Sequence, residues 1–172
     1  TNLTLERRRP WEEEEYSRAT LTEDLPLRAA LSLLNRRLVV HKLEEDCPFL
    51  FARVRLGKID GVFEGPQLTL ECDPERWQEA LEFVTVENRR AMEYGFEEAE
   101  LDVFRLSVLR SLEESVEREA TLSSQAWASR LLEAASGGSV PMDAATVRSL
   151  IAPAIEALDG ESCREALIEF WD

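Results

Sequence analysis

Residues 67–84 read Gln67-Leu68-Thr69-Leu70-Glu71-Cys72-Asp73-Pro74-Glu75-Arg76-Trp77-Gln78-Glu79-Ala80-Leu81-Glu82-Phe83-Val84, and the spacing of the apolar residues changes inside this run. Up to Cys72 the spacing is two. Leu68 and Leu70 share one side while Thr69 and Glu71 take the other, the pattern of a strand with one wet face. Beyond Asp73-Pro74 the spacing becomes three to four, through Trp77, Ala80, Leu81, Val84 and Ala91. That is the stripe of an amphipathic helix, which Tyr94-Gly95 stops. Trp77 and Trp127 lie on such stripes and are expected in the core.

Upstream of this switch the elements are mixed. Leu3 to Glu6 alternates as a short strand would, and residues 7 to 23 are charged and irregular, so 1–23 reads as a linker or boundary segment. A helix is expected from Leu25 to Val40, capped by Asp24, with Pro26 in its first turn and Leu27, Ala30, Leu31, Leu34 and Leu38 on one stripe. Phe49 to Leu56 reads as a strand with Phe49, Phe51 and Val54 inward, and Gly57, Gly61 and Gly65-Pro66 read as a turn region. Downstream, only helices are expected. One spans Glu97 to Glu119, another follows Thr121 as cap and ends at Gly137-Gly138, a third starts at Asp143, and the last follows Asp159-Gly160.

Strands and one helix followed by a run of helices define an α+β class, with helices on one face of an antiparallel sheet and 24–172 forming one domain. Two or three strands are too few for a comfortable sheet. The remainder is therefore expected before Thr1 or within residues 1–23. The chain does not begin with methionine, which suggests a start partway through a longer polypeptide.

The 172 residues carry a formal charge of -15, from 35 acidic and 20 basic side chains. Such a surface repels phosphate backbones and anionic lipid headgroups, which argues against nucleic acid and membrane as partners. No run approaches the roughly 18 apolar residues of a spanning helix. Arg7-Arg8-Arg9 is followed at once by Glu12-Glu13-Glu14-Glu15 and reads as solvated surface. Cys47, Cys72 and Cys163 are far apart and read as free, buried thiols rather than a redox or zinc motif. Free thiols suit the cytosol without excluding a periplasm.

Groups that could carry chemistry are few. His41 is the only histidine, so a two-histidine zinc site within the chain is ruled out, and any Ser-His-Asp or Cys-His arrangement would depend on that one residue. His41-Lys42-Leu43-Glu44-Glu45 matches H-x-x-E-H except at the second histidine, and a solvated helix end is the simpler reading. Carboxylate pairs such as Glu97-Glu98 are too common in so acidic a chain to indicate a glycosidase.

In order along the chain, four segments resemble the second domain of bacterial insulinase-family (pitrilysin, inverzincin) zinc peptidases. They are Leu31-Ser32-Leu33-Leu34-Asn35-Arg36-Arg37-Leu38 with Cys47-Pro48-Phe49-Leu50; Trp77 to Leu81 through Asn88-Arg89-Arg90-Ala91; Tyr94-Gly95-Phe96-Glu97-Glu98-Ala99-Glu100-Leu101; and Leu109 to Val116, continuing to Ser123-Ser124. At Glu97 the chain departs from the family's usual threonine, which implies a weaker helix start.

The resemblance implies tandem α+β domains whose two halves enclose a chamber for unfolded peptides. A preceding domain would bind zinc through H-x-x-E-H and a distant glutamate. Here Leu33-Leu34-Asn35-Arg36-Arg37 stands at the matching helix, so the resemblance implies no zinc ligand, cofactor or catalytic residue in this chain. Some later domains of the family hold substrate through an arginine and a tyrosine; at the matching stretch this sequence has Gln67, Leu68 and Trp77. Arg36, Arg37, Arg53 and Arg55 remain candidates to face a chamber. Expected partners are a catalytic domain in the same chain or a partner subunit, and a peptide substrate, with homodimerisation expected if the apolar interface of a missing neighbour is exposed. The competing reading is a free-standing acidic helical module that binds a basic protein. A stand-alone hydrolase built on His41 is a third.

Overall fold

The computed structural model describes residues 1–11, 17–59, 62–136 and 140–172, with the side chains of Arg18, Ala19 and Glu133 excepted. The Glu12–Glu15 run, Gly61 and Gly137-Gly138 lie outside the described residues. The elements are β1 (Asn2–Glu6), β2 (Arg9–Pro10), α1 (Arg18–Glu23), α2 (Leu25–His41), β3 (Phe51–Ile59), β4 (Phe63–Glu71), α3 (Trp77–Tyr94), α4 (Glu98–Glu119), α5 (Ser124–Ser136), α6 (Ala144–Glu156) and α7 (Gly160–Trp171). The class is α+β, a small antiparallel sheet with helices on one face, as the change of period indicated.

Contacts divide the chain into two compact units. The first holds 1–13, 26–101 and 159–172, and the second 14–25 and 102–158. In the first, β4 is the central strand of an antiparallel sheet. β3 pairs along one side, from Phe51 opposite Glu71 to Ile59 opposite Phe63. β1 and β2 follow one another along the other side, with Asn2–Glu6 opposite Glu71–Gln67 and Arg9–Pro10 opposite Glu64–Phe63. The short strand read at Leu3 to Glu6 lies in β1, and residues 1–23 supply a further strand, β2, joined to it across Arg7-Arg8. The Arg7 amide donates to Pro66 O at 3.0 Å. At Gly65 φ is +152°, and a Cβ there would lie 2.0 Å from Arg7 O. Only glycine fits where the edge chain crosses so closely.

Gly57 and Gly65 are not in a turn but opposite one another in the ladder. A glycine pair mimics a turn signal in sequence while serving a close strand crossing. Alternation sets Ala52 and Val54 inward, with Leu68 and Leu70 of β4, all buried. Phe49 is buried as expected, whereas Phe51, on the opposite phase from Val54, is 43% exposed.

Against the inner face, α2 buries Ala29, Ala30, Leu33, Leu34 and Leu38, and α7 buries Cys163, Leu167 and Phe170. Gly95 ends α3 at φ +71°, and its amide donates to Ala91 O. α3 and α7 are fastened by Trp171 Nε1 donating to Asn88 Oδ1 at 3.1 Å and Arg164 Nη1 donating to Met92 O at 3.2 Å. Asp159 caps α7 by accepting from the Ser162 amide at 2.7 Å. Trp77, expected in the core, is 41% exposed, because the first turn of α3 precedes its buried face at Ala80, Val84 and Ala91. Cys72 and Cys163 are buried and Cys47 is half-buried, none of them in a disulfide among the described residues.

In the second unit, Ser17 and Thr20 form a reciprocal capping box at the start of α1. Arg130 of α5 donates to Glu119 Oε1 at 2.6 Å and to Met142 O at 2.9 Å, while Glu119 Oε2 accepts from the Ala144 amide at 2.8 Å. These bonds join the end of α4, α5 and the start of α6. Asp143 caps α6 as expected. The α5 cap is Ser123, whose Oγ accepts from the Ala126 amide; Thr121 instead donates to Arg118 O at the close of α4. Trp127 is half-buried beneath the Arg130 guanidinium, 5.3 Å from its ring centre, and Leu131 and Leu132 are exposed.

Candidate functional site

The four arginines singled out from the sequence occupy different settings. Arg37 is a structural clamp. Its Nε donates to Glu100 Oε1 at 2.8 Å, its Nη2 to Glu100 Oε2 at 2.5 Å and to Gly95 O at 3.1 Å, and it lies 4.9 Å over the Phe96 ring. Glu100 Oε2 also accepts from the Glu97 amide at 2.9 Å. The helix start that lacks a threonine cap is therefore held from within its first turn, by a carboxylate that α2 fixes in place. Hydrogen bonding from Arg37 holds the Glu100 carboxyl below the usual range, and the Glu100 bond raises the Arg37 guanidinium. Arg36, one residue away, is exposed.

This clamp borders a cleft of about 570 Å³ that also takes in His41, Glu87, Arg90 and Tyr94. His41 Nδ1 lies 2.9 Å from Glu44 Oε1 and its Nε2 lies 3.6 Å from Glu87 Oε2. Glu87 is buried and accepts from Arg90 at 2.6 Å. The two imidazole nitrogens thus face separate carboxylates on opposite sides of the ring, an arrangement that braces α2 against α3 rather than converging on one ion. Among the described residues that line the cleft there is no serine, threonine, cysteine or lysine to act as nucleophile. Among the described residues, no three His, Cys, Asp or Glu side chains group to hold a metal.

Arg53 and Arg55 project from the outer face of β3. Arg55 Nε donates to Gln67 Oε1 at 2.7 Å, Gln67 Nε2 donates to Glu6 Oε2 at 3.2 Å, and Arg8 Nε donates to Glu6 Oε1 at 2.9 Å. A polar row therefore crosses β3, β4 and β1 on the side away from the helices. Gln67, at the stretch compared with a substrate-holding arginine, is one member of that row.

A second hollow, about 530 Å³, runs between α2 and β3. It is lined by Leu31, Asn35 and Val39 from the helix and Ala52, Val54 and Leu56 from the strand, with Arg28, Arg53 and Arg55 at its margins. Asn35 defines this groove. Its Nδ2 donates to Val54 O at 2.8 Å and to Leu31 O at 2.7 Å, and its Oδ1 accepts from the Val54 amide at 2.8 Å. One side-chain amide thus satisfies both outward backbone groups of a strand residue. Sequence reading placed Asn35 only within a family-like motif. The signal available was an amide side chain beside a helix's apolar stripe, where burial demands partners.

Comparison with known proteins gives a result at the level of fold. No family model matches the sequence, and no curated protein matches it. Solved structures do. The first half of the periplasmic protease PqqL from Escherichia coli is 16% identical with a TM-score of 0.79, the alignment covering 98% of this chain and 36% of that one. A predicted insulinase family protease from Yersinia pestis is 15% identical with a TM-score of 0.80 and the same coverage of both chains. A mutant of the ferredoxin protease FusC, in complex with Arabidopsis ferredoxin, is 13% identical at a TM-score of 0.62, covering 99% of this chain and 17% of that one. The chain thus has a fold found within insulinase-family protease chains, and it spans about a third of the first two, 36% of each.

Proposed function

We propose that this chain is a non-catalytic wall domain of an insulinase-family zinc metallopeptidase, or of that enzyme's inactive partner subunit. In this reading a neighbouring domain carries the zinc chemistry, and this one closes the space around an unfolded peptide and presents polar and arginine-bearing surface to it. The observation that carries the reading is the use made of α2. At the positions that resemble the zinc-binding helix, Leu33 and Leu34 are buried, Asn35 is bonded to Val54, and Arg37 is clamped to Glu100. Each of these side chains is committed to packing or to a local bond, so the helix serves the fold where a catalytic domain would serve the metal.

Exposed apolar side chains favour a domain with neighbours over a free-standing module. Leu43 is 81% exposed, Leu132 71%, Leu106 68% and Val62 63%. Covering such residues against an adjoining domain is favourable at about 25 cal/mol per Å². The test is to express this chain alone and joined to the polypeptide that precedes it, then compare dye binding and self-association. A self-sufficient module gives a monomer that binds no hydrophobic dye in either form. A wall domain binds dye or self-associates alone and loses both properties when joined.

A further inference from the structure

We propose that the outward face of α3 is a self-association surface, on which the α3 helix of a second copy of this chain lies antiparallel about a two-fold axis at Val86. The pairing does not rest on the wall-domain reading. The dye and self-association comparison made for that reading can be run with Glu82→Arg in both forms, so the two fail separately.

α3 has two working faces. Ala80, Val84, Glu87, Asn88 and Ala91 are buried. About a third of a turn round the helix, Glu79, Glu82, Phe83, Val86, Arg90 and Tyr94 share the other face, with Val86 and Tyr94 exposed. A hollow of about 270 Å³ on this face is lined by Glu79, Glu82, Phe83, Val86, Glu87 and Arg90, all of them from α3. These residues fall into two overlapping sets, Glu79-Glu82-Phe83-Val86 and Phe83-Val86-Glu87-Arg90, each at steps of three, one and three. Four residues so spaced form the hole that receives one side chain of a facing helix. The hollow is thus two successive holes on a single helix, and the shape that fills it is another helix.

The chemistry of the holes selects which helix. The first is rimmed by Glu79 and Glu82 around Phe83 and Val86, and it suits an arginine whose stem lies on the apolar floor and whose charge sits between the carboxylates. In the second, Arg90 already donates to Glu87 at 2.6 Å, so the place left is for an apolar side chain. α3 carries both groups itself, as Val86 and, three residues on, Arg89. With two α3 helices antiparallel and Val86 opposite Val86, each residue faces the one equally far beyond the axis. Val86 of each copy then enters the second hole of the other, and Arg89 enters the first, which is centred about as far before Val86 as Arg89 lies after it.

The charges agree with this pairing. Glu82 and Arg89 are both exposed, and among the described residues neither side chain has a partner. Seven residues apart on one helix, they are too distant to bond each other. In the two-fold arrangement Glu82 of each copy meets Arg89 of the second copy, so two unspent pairs form at once. Like charges face one another only toward the ends, where Glu79 approaches Glu93 of the second copy about 10 Å along the helix from the axis. Arg76 already donates to Glu79 at 2.9 Å, which offsets that contact. One 18-residue helix is about 27 Å long and buries less than the roughly 1,200 Å² of a standard complex, so the dimer is weak and forms near about 100 µM.

The experiment is sedimentation velocity of the full chain from about 5 to about 500 µM, in about 0.15 M salt, where charges more than about 8 Å apart are largely screened. Wild type should shift from monomer to dimer with concentration. Glu82→Arg and Arg89→Glu should each lower the association constant about tenfold or more, and mixing the two variants should restore it, because each then supplies the charge the other lacks. Glu82→Arg also takes two units off the net charge of -15, which by itself eases association, so the weakening expected here has the opposite sign. A monomer at every concentration, a dimer unmoved by both reversals, or a mixture no stronger than the single variants overturns the proposal. Circular dichroism checks that each variant keeps the fold. If a reversal unfolds the chain, Glu82→Gln and Arg89→Gln give the same test, with a loss of about threefold expected and no loss overturning the pairing.

Discussion

Replacing Glu100 by glutamine keeps the shape of the α4 start but removes the charge that Arg37 grips. An exposed ion pair is worth less than about 1 kcal/mol, and truncating one partner of a fully buried pair costs about 3–5 kcal/mol. The Arg37 and Glu100 side chains are 22% and 25% exposed, which places them between those limits. Glu100 also holds the Glu97 amide, and Arg37 also holds Gly95 O. We therefore expect Glu100→Gln to cost about 2 kcal/mol at neutral pH, with a coupling of about 1–2 kcal/mol in a cycle with Arg37→Met. Urea unfolding at a series of pH values checks this. The folded Glu100 carboxyl is held below its ordinary value of 4.5, chiefly by the Arg37 bond. Its contribution is thus fully present above that value and is lost as pH falls through the lower, folded one. The gap between wild type and Glu100→Gln should be flat from pH 6 to 8, within about 0.3 kcal/mol, and close under acid. A coupling below about 0.5 kcal/mol, or a gap unchanged at low pH, refutes the clamp.

Gly65→Ala should destabilise by about 2–4 kcal/mol, because the new Cβ meets Arg7 O at a positive φ, and thermal melting should register it. Asn35→Ala should cost about 1–2 kcal/mol and speed exchange of the Val54 amide, which loses its acceptor. Leu167→Ala, at a fully buried α7 position facing the sheet, should cost about 2–5 kcal/mol in urea unfolding.

The helices were legible in the sequence where a stripe, a cap and a stop agreed: Asp143 and Asp159 cap α6 and α7, and Gly95 ends α3. Legibility failed where one residue's role depends on another far along the chain. Gly57 and Gly65 looked like turn formers because their pairing is a property of the sheet. Arg37 looked like a surface cation because its partner lies 63 residues away. β2 has only two residues, too few to show a period, though the Ser17-x-x-Thr20 spacing of a capping box does mark α1. On α5 the stripe suggested burial, yet Leu131 and Leu132 are exposed, since periodicity records amphipathicity without saying what covers the face. The site was legible as a motif and not as chemistry. Arg53 and Arg55, singled out as candidates to face a chamber, lie on the outer face of β3, while Asn35 was not singled out, because its bond to Val54 requires the fold to exist.

The central claim is that metal chemistry belongs to a neighbouring domain and enclosure to this one. Its most direct test is cleavage of a quenched fluorescent peptide, with zinc supplied, by the chain alone and by the chain joined to its preceding polypeptide. The account predicts no chelator-sensitive cleavage by the chain alone, and cleavage by the joined protein only when the preceding domain carries an intact H-x-x-E-H. Zinc-dependent cleavage by the chain alone, abolished by His41→Ala, would contradict it.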